Sequence, residues 1–487
     1  MKSPYVRLYG FNVDVLHLKY RLKKGYDSLL KNSKQLNLII NKVSPAVIAT
    51  ACAGISHQEK SFSWLRKKYR NLDKLISLDK KLVEMGHSSI VEHMFFNFDV
   101  VLSRLAVEFL ESHRLASYTE KSQRFTEVDY NAFYLPSEHQ DFVSLFKKQI
   151  ELYKKALDLS RKQLKEKFGE NWKKYDNKAK EDSRFVLPLA VLAPLNFSVN
   201  GRELEYIIQK ANSHSLPEIK KFGELLIKEL NSKVPWAMHL IKHTEKDAYY
   251  EKNKELEEVV KSLALHQNCQ QNTSIEVEKD ADDKIIAALI FENAQISYEK
   301  ALDFVKKQDQ KLKFEIVRKA LKNMEMHHRP PRAFEIPYVT VSTAISASCF
   351  AQLKRHRMLT LLVQPYDPDL GYAIPESIHE IGLAKEYLEL MDQSSDLLFK
   401  LRKQEDPEAE YVVTNGHKRR VIIKMNFREL CLFSRLRQDK HAQWEIRSLA
   451  NEIVDRVKKD MPITTILLGG KHEFQEIKKL FEKYEQI

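Results

Sequence analysis

Apolar and polar residues alternate over Met94–Leu102, with Phe96, Phe98 and Val100 on one side, and this period of two predicts a strand. The period then lengthens. Leu105, Ala106, Phe109 and Leu110 fall on one face of a helix that Ser103 is placed to cap. Ser112-His113-Arg114 closes that helix, and an extended stretch runs on to Pro136. The Leu- and Lys-rich residues 62–86 read as a helix ending at Gly86, and Phe142–Phe168 as a long amphipathic helix ending at Gly169. The second half repeats the plan. Ile336–Val341 alternates like a strand, Ser342 and Thr343 offer caps, Ala344–Lys354 is the matching helix, and Arg355-His356-Arg357 ends it.

The two His-Arg pairs are 243 residues apart, about half of the 487-residue chain. A second landmark also recurs: Asn200-Gly201-Arg202 matches Asn426-Phe427-Arg428. His214 follows the first Asn by fourteen residues and His441 follows the second by fifteen, each expected on a helix. The chain therefore reads as an α+β protein made of two tandem copies, 1–245 and 246–487, with the boundary between 240 and 280. That span holds KHTEKDAYYEKNKELEEVVK and the polar HQNCQQNTS. The copies have decayed differently. The first keeps Ser117, Glu120, Ser122 and Arg124 behind its His-Arg pair, while the second keeps Gln352 and Arg355 ahead of its own. One working site built from both halves is the simplest reading.

Composition narrows the partners. A 43% hydrophobic fraction can build a core. Mean hydropathy of -0.46 and the lack of any apolar run of about 18 residues argue against a membrane span. The first twenty residues carry no apolar signal core, so a cytoplasmic protein is expected. A formal charge of +13 favours nucleotides, phosphorylated cofactors or nucleic acid. Much of the lysine lies in helical stretches such as Lys147–Lys167 and reads as solvated surface, so nucleic acid is not expected. Cys52, Cys269, Cys349 and Cys431 show no zinc or disulfide spacing and read as reduced, mostly buried thiols. His87 and His93 do not form an HExxH motif, and no metal is assigned. GxGxxG, P-loop and GxSxG motifs are absent, which excludes the usual dinucleotide, Walker and hydrolase signatures.

A mononucleotide site needs cations for phosphate, directional polar groups for the base and an acceptor for a sugar hydroxyl. Arg124, Arg184, Arg355 and Arg437 can supply the cations. Gln352 and Ser122 can supply direction, and Glu120 can accept from a hydroxyl.

At these residues the chain resembles the flavin-dependent thymidylate synthases, whose signature is RHRxxSxNExSxRY. The first half reads SHRLASYTEKSQRF from Ser112 to Phe125, with Thr119 in place of Asn. The second begins RHRMLT and then departs: Leu362 and Val363 replace Asn and Glu. GHSSIVEHMFFNF, DSRFVLPLAVLAPLNFSVNGR and MNFRELCLFSRLRQDKHAQWEI extend the resemblance over both halves. In the last segment Arg437, His441, Gln443, Trp444 and Glu445 all match, whereas Lys210 stands at the first-half position of the family's essential Arg.

The resemblance implies two copies of the family's fold, a central sheet with long helices, joined as an intrachain pseudo-dimer. It implies reductive methylation of dUMP with FAD, NADPH and methylenetetrahydrofolate, a chemistry needing no cysteine nucleophile. The family is a homotetramer with sites between subunits, so a homodimer of these chains is implied. By position, Gln352, Arg355, Arg437, Glu120, Ser122, Arg124 and Arg184 would bind dUMP, with Arg437 also polarising the pyrimidine. Ser89, Arg355, His356, Arg357, Glu120, Asn426, Arg428 and His441 would bind FAD. His87 matches a family His near the flavin and folate, and is taken as catalytic with Arg437; its second-half counterpart is Pro330. Leu432 and Tyr206 replace a family Asn in the flavin set. The reciprocal site, with Ser112, Phe109, Lys210, Val363 and Glu410, should not bind dUMP. A different pyrimidine product, or a non-catalytic nucleotide-binding descendant, are the alternatives.

Overall fold

Phe98 and Phe197 sit opposite each other in register on neighbouring strands, and their rings stack at 4.9 Å. That pair marks the centre of the first of two four-stranded antiparallel sheets. The computed structural model describes residues 3–23, 39–56, 58–136, 140–241, 244–246, 254–263 and 273–483. Cys269 and most of the polar segment around it lie outside the described residues. The chain divides into two units: Met1–His266 with Glu386–Val413, and Gln267–Lys385 with Thr414–Ile487.

In the first unit the sheet order is β1-β2-β4-β3, from Tyr5–Phe11 (β1), Phe95–Ser103 (β2), Ala116–Glu120 (β3) and Leu192–Asn200 (β4). Phe96, Phe98 and Val100 are buried, as the alternation requires. Ser103 ends β2 and caps the helix Arg104–Glu111 by accepting from Ala106 N–H at 3.0 Å. Ser112 is the C-cap, one residue past the helix, so the basic cluster stands at its exit. The helix Gln140–Phe168 is one continuous element, and Gly169 follows it with φ +51°. Against it lies the helix Ala384–Lys403, antiparallel: Asp141, Lys148 and Lys155 bond Lys400, Gln393 and Glu386.

The second unit repeats the order as β5-β6-β8-β7, from Ser274–Val277 (β5), Tyr338–Ser346 (β6), Thr360–Val363 (β7) and Lys418–Asn426 (β8). Val339, Val341 and Ile345 of β6 and Val421, Ile423 and Met425 of β8 form the inner layer.

Three expectations are corrected. Residues 62–86 form two helices, Phe62–Lys68 and Leu72–Glu84, because Tyr69 turns into the core and Asn71 starts a new helix by accepting from Lys74 N–H at 3.1 Å. Strand β6 runs to Ser346, past Ser342 and Thr343, which stay in the ladder. Ser346 is the cap: its hydroxyl accepts from Cys349 N–H at 3.0 Å, and the helix is Ala347–Leu353. The alternation of Val339, Val341, Thr343 and Ile345 carries the strand through two residues that look like caps. His214 and His441 lie just beyond their helices, Gly201–Ser213 and Phe427–Arg437, not on them.

Candidate active site

In the second unit the exit of the helix Ala347–Leu353 meets the helix Phe427–Arg437. Glu429, Phe433 and Arg437 are four residues apart and therefore share one face of that helix. His356 lies on this stripe and is 4% exposed. Its Nδ1 is 2.8 Å from a Glu429 carboxylate oxygen, and its Nε2 accepts from Arg437 Nε–H at 2.9 Å. Its ring meets Phe433 edge-on, with centroids 5.1 Å apart. An Nε2 that accepts carries no proton, so the proton sits on Nδ1 and is donated to Glu429. Burial holds the His356 imidazole below its ordinary range; Glu429 opposes this and Arg437 reinforces it.

Arg437 makes two further bonds: Nη1–H to the Gln352 side-chain oxygen at 3.1 Å and Nη2–H to the Gln352 carbonyl at 2.8 Å. Three of its five N–H donors thus lie on its own chain, which fixes the plane of the guanidinium. Gln352 is buried, while Arg355 and Arg357 on either side of His356 are exposed. One turn therefore turns its His inward and its two arginines outward.

Asn426 and Arg428 occupy the other end of the same helix; nine residues at 1.5 Å each put Arg428 about 14 Å from Arg437 along the axis. Asn426 caps the helix by accepting from Glu429 N–H at 2.9 Å. Arg428 donates to Glu335 at 2.8 Å and to the Pro330 carbonyl at 2.9 Å. His441 follows the helix in a turn where its N–H donates to Asp439 at 3.0 Å.

The first unit gathers a different set. Arg104 bonds Glu120, and Arg124 bonds Glu181; all four side chains are largely buried. Arg184 is 2% exposed. Burial first, and then the neighbouring Arg104 and Arg124, lower its guanidinium to about 10, against the pull of Glu181 and Asp182. It remains cationic at neutral pH. Arg104 is held above its usual range instead, because Glu120, Glu111 and Glu108 outweigh its burial. Ser122 shapes the turn, its hydroxyl accepting from Arg124 N–H at 3.2 Å. His87 and Ser89 lie apart from this cluster in the chain, exposed on the short turn that leads from the helix Leu72–Glu84 into β2.

Thus Gln352 and Arg437 come together, and so do Glu120, Arg124 and Arg184, each set within one unit. Sequence reasoning missed Glu429, Arg104 and Glu181. Glu429 stands three residues after a capping Asn, a spacing that reads as a helix start and nothing more. Cys349 is buried and its thiol is pushed well up by burial, so it is no resting nucleophile. Among the described residues no His, Cys, Asp and Glu cluster could hold a metal ion, and no helix is long and apolar enough to cross a membrane.

Comparison with known proteins also finds two halves. The family of the thymidylate synthase complementing protein matches twice, over residues 38–236 and 277–463. A UPF0159 protein of Chlamydia muridarum is 27% identical over 285 residues, covering 56% of this chain and 54% of the relative. One of Thermoplasma acidophilum is 24% identical over 301 residues, 59% and 58% of the two. The chain spans about half the length of these curated relatives. A flavin-dependent thymidylate synthase of Pseudothermotoga lettingae is 33% identical over 169 residues, 32% of this chain and 73% of the relative. Among solved structures, a UMP/dUMP methylase from Streptomyces cacaoi bound with 5-Br dUMP covers 50% of this chain and 96% of its own, with 17% identity and a TM-score of 0.35, which adds nothing to the assignment. With both halves matched in turn, the chain belongs to the thymidylate synthase complementing protein family.

Proposed function

We propose that the chain is a flavin-dependent enzyme that modifies dUMP, and specifically that it methylates dUMP reductively to dTMP. Methylenetetrahydrofolate would give the carbon and NADPH the reducing equivalents. The observation that carries this reading is the guanidinium of Arg437, locked in one plane by Gln352 and His356 in one copy only. A fixed cation beside a pyrimidine carbonyl stabilises charge that develops on the ring without reorganising during the reaction.

Arg355 and Arg124 suit a phosphate, with Arg184 adding positive field from the interior. Glu120, held by Arg104, suits a sugar hydroxyl, and Ser122 shapes the turn between Glu120 and Arg124. These residues are drawn from both halves, and one ligand shared between them is part of the proposal.

FAD, when bound, would supply the hydride chemistry. The exposed Arg355 and Arg357 suit its pyrophosphate, and the exposed turn with His87 and Ser89 suits a neighbouring ring. Asn426, Arg428 and His356 already serve the fold through a cap, an ion pair and two ring bonds. Asn426 and Arg428 would support the flavin site from behind. We also propose that the chain pairs as a homodimer, which light scattering checks.

The test is direct. Purified protein should be yellow, titrate with dUMP and yield a nucleotide heavier by one methylene unit. It should also rescue a thymidine-requiring strain. A colourless protein that takes up neither FAD nor dUMP overturns the reading. A product of hydroxymethyl mass would keep the site and change the reaction.

A further inference from the structure

We infer that His356, held by Glu429, is the positioning residue for Arg437, acting as a neutral imidazole whose Nε2 lone pair sets the guanidinium. This rests on reading Arg437 as the arginine that meets the ligand. The resemblance alone puts His356 on the flavin; the geometry gives it another task.

Three observations support it. First, both ring nitrogens are engaged at hydrogen-bond distance, Nδ1 with Glu429 and Nε2 with Arg437, so the ring bridges two side chains eight residues apart on one helix. Second, an Arg–His hydrogen bond exists only while the imidazole is neutral and protonated on Nδ1. Glu429 fixes that tautomer by accepting the Nδ1 proton. The charged groups facing the ring are Glu429 and Arg437.

Third, the first unit shows the arrangement undone. There Lys210 stands for the arginine, and the equivalent His113 has turned its Nδ1 to the carbonyls of Phe109 and Leu110 at 3.1 and 3.2 Å. Among the described residues its buried Nε2 has no hydrogen-bond partner. Glu203, the counterpart of Glu429, accepts from the Leu115 backbone instead. The carboxylate–histidine link is gone where the arginine is gone, although both residue types are still present. A purely architectural pair would have been kept in both copies.

The experiment uses the full chain labelled with 15N-histidine, with His356 assigned from the His356→Gln spectrum. Nδ1 should appear protonated and Nε2 unprotonated at pH 7. Arg437→Ala should shift the Nε2 signal, and Glu429→Ala should redistribute the proton between the two nitrogens. A protonated Nε2, or a spectrum indifferent to Arg437→Ala, overturns the inference. The function is read separately, by dUMP titration and FAD retention. His356→Gln places an amide oxygen near the Nε2 position and should keep dUMP affinity within about threefold of wild type, while His356→Phe should lose about thirtyfold, on the scale of one buried charge-assisted bond. Both variants should retain FAD. If FAD affinity falls in step in both, His356 is a flavin contact and the inference fails. If the spectra are as expected but wild type binds no dUMP, the positioning role stands and the proposed substrate falls.

Discussion

His356 and His113 sit at equivalent places in two copies of one motif, and both are buried, at 4% and 3% exposure. One is wired between a carboxylate and a guanidinium; the other leans on backbone carbonyls. The difference is not a difference of fold. In both copies a serine at the end of the central strand caps the next helix and is held by a glutamate, Ser103 by Glu218 and Ser346 by Glu445. In both, an asparagine caps the later helix, and the arginine two residues on pairs with a glutamate, Arg202 with Glu92 at 2.7 Å and Arg428 with Glu335 at 2.8 Å. What is kept twice serves architecture. What is kept once, such as Arg437 and Gln352 in one copy and Arg104, Glu120, Arg124 and Arg184 in the other, is the candidate chemistry. The counterpart of Arg184 makes the point by charge: Glu410 stands there, paired with Arg402.

The largest test of that contrast is a matched pair of truncations. Arg437→Ala should lower turnover about 10²- to 10³-fold, the usual cost of removing one preorganised electrostatic donor. Lys210→Ala should change it less than about twofold, as for a surface substitution. Steady-state assays with dUMP decide it, and equal losses would end the one-site reading. Arg355→Ala and Arg124→Ala belong with Arg437→Ala.

Acid sharpens the same contrast through His113. Burial, with Lys210 nearby, lowers its imidazole to about 4, despite the carbonyls of Leu110 and Phe109. The unfolded chain takes up this proton near the ordinary 6.5, the folded chain only near 4. The unfolded state therefore binds more protons across that window, and stability is complete above 6.5 and falls as pH drops toward 4. The group accounts for roughly 3 kcal/mol over that window. Urea midpoints at pH 7 and pH 4.5 should differ by less in His113→Phe than in wild type. An identical difference would mean that His113 is not held neutral.

Architecture kept twice should fail twice. Glu218 accepts from Ser3 Oγ, Ser103 N–H, Ser103 Oγ and Tyr411 Oη, and Glu445 from Ser346 N–H and Oγ. Glu218→Ala and Glu445→Ala should each cost about 1–3 kcal/mol by stranding buried donors. Thermal melts check this, with the loss larger at Glu218.

Much of this was legible in the sequence. The strand alternation, the long helix to Phe168 and the twin order of elements all followed from periodicity. The tandem repeat singles out Gln352, and the family resemblance singles out Arg437. Two kinds of feature were not legible. Ser342 and Thr343 look like caps, but only the pairing of β6 with β8 as far as Ser346–Lys418, and the grip of Glu445 on Ser346, decide where the strand ends. Glu429 was hidden because its spacing from Asn426 is already explained by capping. Tertiary partners settle such positions, and one sequence does not contain them in readable form.

The smallest effect is the most exacting. Lys210 Nζ lies 4.3 Å from the Tyr206 ring centroid, and Tyr206 in turn meets His113 edge-on at 5.7 Å. Lys210 has therefore exchanged an arginine's task for a cation–π contact on a partly exposed ring, a contact contributing about 0.5–1 kcal/mol. Lys210→Met keeps the apolar stem and removes the charge, so it should lower stability by about that amount and leave catalysis alone. It should also let the His113 imidazole rise, because one neighbouring positive charge is gone. Denaturation curves and a histidine titration read the two effects separately. A catalytic loss with unchanged stability would show that the first copy still handles ligand, and would erase the asymmetry between the halves.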